Sequence, residues 1–303
     1  MINIDKFKIA FLFLIVCLAW GTTWITIKFS VESIPPILSS ALRFIVAFPA
    51  FLFLAKITHT KIFPKPEEIR FYCIATVFYY SLPYALINYG ELYLTSGLAA
   101  LIFSTMPILI LIFSHFLLKE KINIFQVMGI LIGLIGFYFI IKIQHKELGF
   151  QNIIGIIALF AAAIMHAGYY VYVKKSGASV SSIAMNTIPL GLAGIGLLVT
   201  SLFFESININ QISTKSILAT VYLGIFASVI GFIAYFELLK KISPIVISFV
   251  FLIFPVFAII FSSMFESASN INFEFILYFI VILFGFIMTK INTKPKEEHD
   301  KDN

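Results

Sequence analysis

Residues 7–29 read FKIAFLFLIVCLAWGTTWITIKF, with charge only at Lys8 and Lys28, near the two ends. A helix rises 1.5 Å per residue, so about 20 apolar residues cross the roughly 30 Å hydrocarbon core of a bilayer. Hydrocarbon offers no partner to a bare N–H or C=O, and a helix pairs each of them within the segment. The stretch is therefore expected to be a membrane-spanning helix. Lys6 and Lys8 ahead of it would also suit a secretory signal. The apolar run, however, continues through Trp20-Gly21-Thr22-Thr23-Trp24 with no small-x-small cleavage site, so a retained first helix is expected.

Nine further stretches read the same way: 36–55, 71–90, 97–118, 124–143, 151–173, 180–204, 216–238, 245–265 and 273–289. They are continuously apolar rather than alternating, which excludes a transmembrane β-barrel. Composition agrees, with 60% hydrophobic and 12% charged residues among 303, where a soluble domain carries about 25% charged. The net charge of +6 does not point to nucleic acid, because the basic residues sit between apolar segments and form no continuous patch. Cys17 and Cys73 lie inside apolar runs without disulfide or metal spacing and are read as buried free thiols. Residues 290–303, KINTKPKEEHDKDN, read as a charged, disordered cytoplasmic tail.

Lysine and arginine placement sets the orientation. With a cytoplasmic N-terminus, sixteen of the 21 basic residues fall on inside segments, among them Lys56, Lys61, Lys65, Arg70, Lys119, Lys121, Lys174 and Lys175. Four fall outside, Lys28, Lys142, Lys146 and Lys215, and Arg43 lies within a span. A bias that alternates through ten spans places both termini in the cytoplasm.

The chain also resembles itself. Trp20 precedes Lys28 by eight residues in the first span, as His166 precedes Lys174 in the sixth. Ala75-Thr76-Val77 with Tyr89-Gly90-Glu91 in the third span is matched by Ala219-Thr220-Val221 with Tyr235-Phe236-Glu237 in the eighth, and Pro107 in the fourth by Pro255 in the ninth. The order is the same, which argues for duplication, with one five-helix repeat over 1–143 and another over 150–289. Five crossings are an odd number, so the second copy enters from the opposite side. Inverted repeats typify secondary transporters, with a substrate site between the halves near the midplane. The fold expected is an all-α integral membrane protein of ten transmembrane helices in two inverted five-helix repeats.

Several motifs carry a family resemblance. Trp20-Gly21-Thr22-Thr23-Trp24 with Lys28 resembles the opening helix of the drug/metabolite transporter superfamily, in its EamA-type members. Ala41-Leu42-Arg43-Phe44 is similar to the arginine motif of their second helix. Leu94-Thr95-Ser96-Gly97-Leu98-Ala99-Ala100, Pro107, Leu118-Lys119-Glu120 and then Gly129, Gly133 and Gly136 resemble their fourth and fifth helices. The resemblance covers about residues 7 to 289. It implies ten helices in two inverted repeats in the bacterial inner membrane, and transport of small solutes, often as export of amino acids, metabolites or toxic compounds. The chain departs from the pattern in two places. Ala268 stands where a second glutamate equivalent to Glu120 is usual, with Glu266 two residues earlier, and His166 replaces a tryptophan.

Polar groups inside spans are costly and mark candidate sites. Arg43 could bind a substrate carboxylate, hold a glutamate, or snorkel to the interface. Tyr80, Tyr84, Asn88 and Glu91 follow i, i+4, i+8, i+11 spacing and so share one helix face. That face suits an amphipathic organic solute, a cation included. Its alternative is an interfacial tyrosine belt with helix-to-helix hydrogen bonds. His166 is a candidate proton relay or cavity residue, and Trp20 is its counterpart. Pro107 and Pro255 are hinge candidates. Glu237 with Lys240 reads as a structural charge pair, and Gly129, Gly133 and Gly136 as a close-packing face.

No nucleotide-binding loop, metal-ligand cluster or hydrolase nucleophile motif appears, so no cofactor, no metal and no catalytic residue is expected. The function expected is a secondary carrier, exporting amino acids or related amphipathic solutes by alternating access, with a membrane-embedded enzyme or a sensor as the alternative. A proton or a counter-solute is the expected coupling partner, and a homodimer is compatible with this reading.

Overall fold

A computed structural model of the chain describes residues 4–120, 122–144, 150–176, 180–242, 244–247, 250–266 and 272–288. The expected tail, 290–303, and Ala268 lie outside the described residues. Every regular element among the described residues is helical. We label them α1 (Phe7–Val31), α2 (Pro36–Ile57), α3 (69–93), α4 (Ser96–Leu118), α5 (Ile124–Gln144), α6 (Phe150–Ser176), α7 (Ser182–Phe204), α8 (Thr214–Lys241), α9 (Val250–Phe265) and α10 (Phe273–Met288). Six of these, α1, α2, α4, α6, α7 and α8, are long and apolar enough to cross a membrane, and α5, α9 and α10 hold shorter apolar helices.

Starts and stops follow local chemistry. Pro36 opens α2 at the first helical position, where a missing N–H is harmless. Thr95, Ser181 and Ser213 accept N–H bonds from Leu98, Ala184 and Ser216 and so cap α4, α7 and α8. Lys119 takes a left-handed conformation, φ 58°, and ends α4.

Four helices are irregular where it matters for the site. α1 is interrupted at Thr22, between Trp20 and Trp24. α4 breaks at Ser104–Thr105, ahead of Pro107, and the two hydroxyls bond back to the carbonyls of Leu101 and Ile102. Pro255, by contrast, sits inside an unbroken α9. α3 and α8 each contain a π-helical segment, Ala75–Ser81 and Leu223–Ile230. In each a serine hydroxyl bonds five residues back, Ser81 to the carbonyl of Thr76 at 2.7 Å and Ser228 to that of Leu223 at 3.0 Å.

The packing partners are α1 with α8 and α9, α2 with α7 and α8, α3 with α6 and α7, α4 with α6 and α9, and α5 with α10. Small residues allow the closest crossings. A Cβ on Gly285 would stand 2.6 Å from the carbonyl oxygen of Gly129 and from the amide of Gly133, and one on Gly90 would stand 3.0 Å from the carbonyl oxygen of Gly155. The outer surface is apolar, as lipid requires, with Phe116, Leu131, Tyr138 and Phe203 exposed. The interior instead buries Arg43, Asn88, Glu91, His166 and Asn186. Cys17 is buried as expected, but Cys73 is exposed: it lies on the outward face of α3, where a thiol meets lipid as readily as a methyl group would.

Candidate functional site

A cavity of about 40 Å³ lies between α1, α2, α3, α4, α6 and α9. α1 presents Trp20, Thr23, Trp24 and Ile27, one face at helical spacing. α6 presents His166 and Tyr170 at the same four-residue spacing. α3 adds Tyr84 and Ile87, α4 adds Phe103, α9 adds Phe251 and Phe254, and α2 adds Arg43. The aromatic rings pack on one another, Trp24 on Phe103 at 4.8 Å and Trp20 on Tyr235 at 4.8 Å between centroids. The space holds a few waters at most. A solute of metabolite size enters only when helices part.

Arg43 is the charged group of this cavity. It does not snorkel: its side chain is 1% exposed. Nε donates to Ser228 Oγ at 2.8 Å, and the guanidinium carbon lies 4.7 Å from the Tyr84 ring centre and 5.9 Å from that of Phe232. The π segment of α8 sets this contact, because it brings Ser228 under the arginine. Nη1 has no hydrogen-bond partner, and among the described residues no carboxylate pairs with Arg43. It therefore does not hold a glutamate.

His166 is 4% exposed and its Nε2 lies 3.0 Å from the carbonyl oxygen of Tyr79. A carbonyl only accepts, so Nε2 carries the hydrogen. Pro83 explains why this carbonyl is available: it has no N–H for the oxygen four residues back.

Four of the seven residues singled out from sequence, Trp20, Arg43, Tyr84 and His166, meet at the cavity. Tyr80, Asn88 and Glu91 do not line it. Tyr80 lies in the π segment, which breaks its α-helical spacing to Tyr84, whereas Asn88 and Glu91 share the regular helix with Tyr84 and lie about one and two turns beyond it, past the cavity. Tyr80 donates instead to Asn186 Oδ1 on α7. Asn88 Nδ2 donates to Ser39 Oγ at 3.0 Å. Glu91 is fully buried with both carboxylate oxygens unpartnered.

Further polar contacts flank the cavity. On one side α1 and α8 are tied by Ser33 Oγ donating to Ser213 Oγ (3.2 Å) and Ser216 Oγ (2.8 Å), by hydroxyl contacts Ser30–Thr220 (2.7 Å) and Thr22–Tyr222 (2.6 Å), and by the Glu32–Lys215 ion pair (2.7 Å). Lys28 Nζ donates to the carbonyls of Glu91 (2.5 Å) and Leu94 (2.8 Å) at the end of α3. Lys174 Nζ does the same for Leu239 and Ile242 at the end of α8, both at 3.2 Å. Both lysines sit at helix C-termini, where a cation is favoured.

Two glutamates cap helices: Glu205, which the sequence did not single out, and Glu266, whose capping role it did not reveal. Glu205 accepts from the amides of Ile37 and Leu38 at 2.8 Å each, at the start of α2. Glu266 accepts from the amide and hydroxyl of Ser96, at the start of α4, and from Ser262 Oγ. Glu237 and Lys240 do pair, at 4.0 Å.

A protein whose described elements are all helical, with an apolar exterior, a polar and aromatic interior and a small cavity among six helices, is a multi-pass membrane protein. The chain belongs to the EamA-like transporter family, whose model matches residues 7–142 and again 153–291. It is 42% identical over 253 residues to an uncharacterized transporter of Buchnera aphidicola subsp. Schizaphis graminum, covering 84% of each chain. It is 39% identical to Protein PagO of Salmonella typhimurium, again over 84% of each, and 29% identical to the uncharacterized transporter YoaV of Bacillus subtilis, over 90% of this chain and 93% of that one. A solved crystal structure shares the fold with a TM-score of 0.71 at 19% identity, covering 92% of this chain and 95% of its own. The chain is thus a membrane transporter of the bacterial inner membrane with a small-molecule substrate.

Proposed function

We propose that the chain is a ten-crossing secondary carrier that exports small organic solutes bearing a carboxylate and an apolar or aromatic body, amino acids among them, by alternating access between two inverted halves, 1–143 and 150–289. Both termini then face the cytoplasm. The set of packed pairs supports the inverted repeat. Exchanging each helix of α1–α5 for its counterpart in α6–α10 turns the α1–α8 contact into α6–α3 and leaves α2–α7, α4–α9 and α5–α10 as they are. The paired π segments, the paired lysine caps and the two matches of the family model support it as well. Trp20 and Trp24 face His166 and Tyr170, their counterparts, across one cavity.

The observation that carries the substrate class is Arg43. A buried guanidinium with a free nitrogen and no carboxylate beside it costs several kcal/mol unless an anion arrives. Aromatic walls give the rest of the solute an apolar surface. The test is counterflow in proteoliposomes with labelled L-phenylalanine and phenethylamine, which lacks the carboxylate. Wild type is expected to exchange phenylalanine and not phenethylamine, and Arg43→Gln to lose that exchange. Equal movement of both probes, or full activity in Arg43→Gln, would overturn the reading.

A further inference from the structure

Glu91 is left over by the site above. Its side chain is fully buried near the end of α3, and neither carboxylate oxygen has a hydrogen-bond partner. The nearest cation does not supply one, because the Lys28 ammonium bonds to the backbone carbonyls of Glu91 and Leu94 instead. The other charged group facing it is Glu266, at the end of α9, whose oxygens are already taken by Ser96 and Ser262. α2, α4 and α6 also pack on this part of α3 and bring no acidic or basic residue at that level. An ionised carboxylate without donors in such a place costs several kcal/mol, and the group neutralises instead.

The matching position in α8 behaves differently. Glu237 keeps its side chain 40% exposed and lies 4.0 Å from Lys240. Under the inverted-repeat reading the two glutamates lie on opposite faces of the membrane. The structure is then shut at the Glu91 face, where the α1–α8 hydroxyl contacts also lie, and looser at the Glu237 face.

We propose that Glu91 is a proton-binding site. Closing its face buries the carboxylate together with one proton taken from water, as the neutral acid, and opening returns that proton to water. This rests on alternating access but on no particular substrate. Closure takes up a proton, so acid on the Glu91 side favours the shut form and alkali favours the open one. A one-proton link shifts that equilibrium by up to about tenfold per pH unit.

The test needs no transported probe. Thr23 lines the cavity. With Cys17 and Cys73 replaced by serine, Thr23→Cys is labelled in intact cells by a membrane-impermeant maleimide while the external pH is varied. The same measurement in the Glu91→Gln background removes the thiol's own titration as a ratio. The ratio of the two labelling rates is expected to rise with pH, by up to about tenfold per unit. Glu91→Asp and Glu266→Gln should keep the dependence. A ratio that stays flat with pH, or a dependence abolished by Glu266→Gln and untouched by Glu91→Gln, overturns the proposal. Failure of phenylalanine exchange bears on the functional reading alone, since labelling reports opening directly.

Discussion

His166 Nε2 bonds to the carbonyl oxygen of Tyr79 at 3.0 Å, the oxygen that Pro83 leaves without a helical donor. A proline of α3 thus leaves an acceptor that a histidine of α6 fills, and the bond holds the His166 ring at the cavity wall. His166→Ala orphans a buried carbonyl and is expected to cost about 1–3 kcal/mol. Pro83→Ala restores a local donor, so the double variant should recover part of that loss. Melting temperature in detergent, followed by the fraction remaining monodisperse, checks this. Equal destabilisation by His166→Ala with and without Pro83 would contradict it.

Arg43→Lys tests geometry apart from charge. The lysine keeps the cation but loses the planar fork that stacks on Tyr84 and reaches Ser228. Truncating a buried charged partner typically costs 2–5 kcal/mol, so Arg43→Ala should lower phenylalanine exchange about 30-fold or more. Ser228→Ala removes one bond to a charged group, worth about 1.5–3 kcal/mol, and should weaken binding without abolishing exchange. Counterflow rates decide both.

Gly285→Ala places a methyl group where 2.6 Å separates it from the backbone of α5. Overpacking of this kind costs about 1–3 kcal/mol. Gly196→Ala meets nothing within 4 Å and serves as the neutral control. Comparable melting temperatures for the two variants would show that the α5–α10 crossing is not as close as described.

Lys28→Met and Lys174→Met each free two terminal carbonyls, those of Glu91 and Leu94 or of Leu239 and Ile242. Each is expected to lower stability by about 1–3 kcal/mol. Under the inverted-repeat reading they loosen opposite faces. Lys28→Met should therefore raise maleimide labelling of Thr23→Cys from outside, and Lys174→Met should lower it.

Much of this was legible in the chain because lipid removes the ambiguity of short apolar runs. A helix is the one structure that lets residues 7–29 satisfy their backbone in hydrocarbon. Arg43 and His166 stood out because a polar group in such a run needs a reason. The aromatic wall was not legible: in a chain with 35 phenylalanines, nothing distinguishes Phe103, Phe251 or Phe254 from residues that face lipid. The available signal was a matched spacing in two spans, since Trp20-x₃-Trp24 is answered by His166-x₃-Tyr170 and all four line the cavity. Tyr80 was drawn to the site by an α-helical spacing that the π segment of α3 interrupts, while Asn88 and Glu91 keep that spacing from Tyr84 but lie about one and two turns beyond the cavity. Glu205 escaped notice because its partners, the first amides of α2, lie far away in sequence.

The central claim is that the face sealed between α1 and α8 must open for a solute to pass. Ser33 Oγ and Ser213 Oγ lie 3.2 Å apart across that seam. With Cys17 and Cys73 replaced by serine, oxidation of the Ser33→Cys, Ser213→Cys pair should cut phenylalanine counterflow to the level of empty liposomes, and a reductant should restore it. Undiminished flux through a fully cross-linked protein would contradict the account.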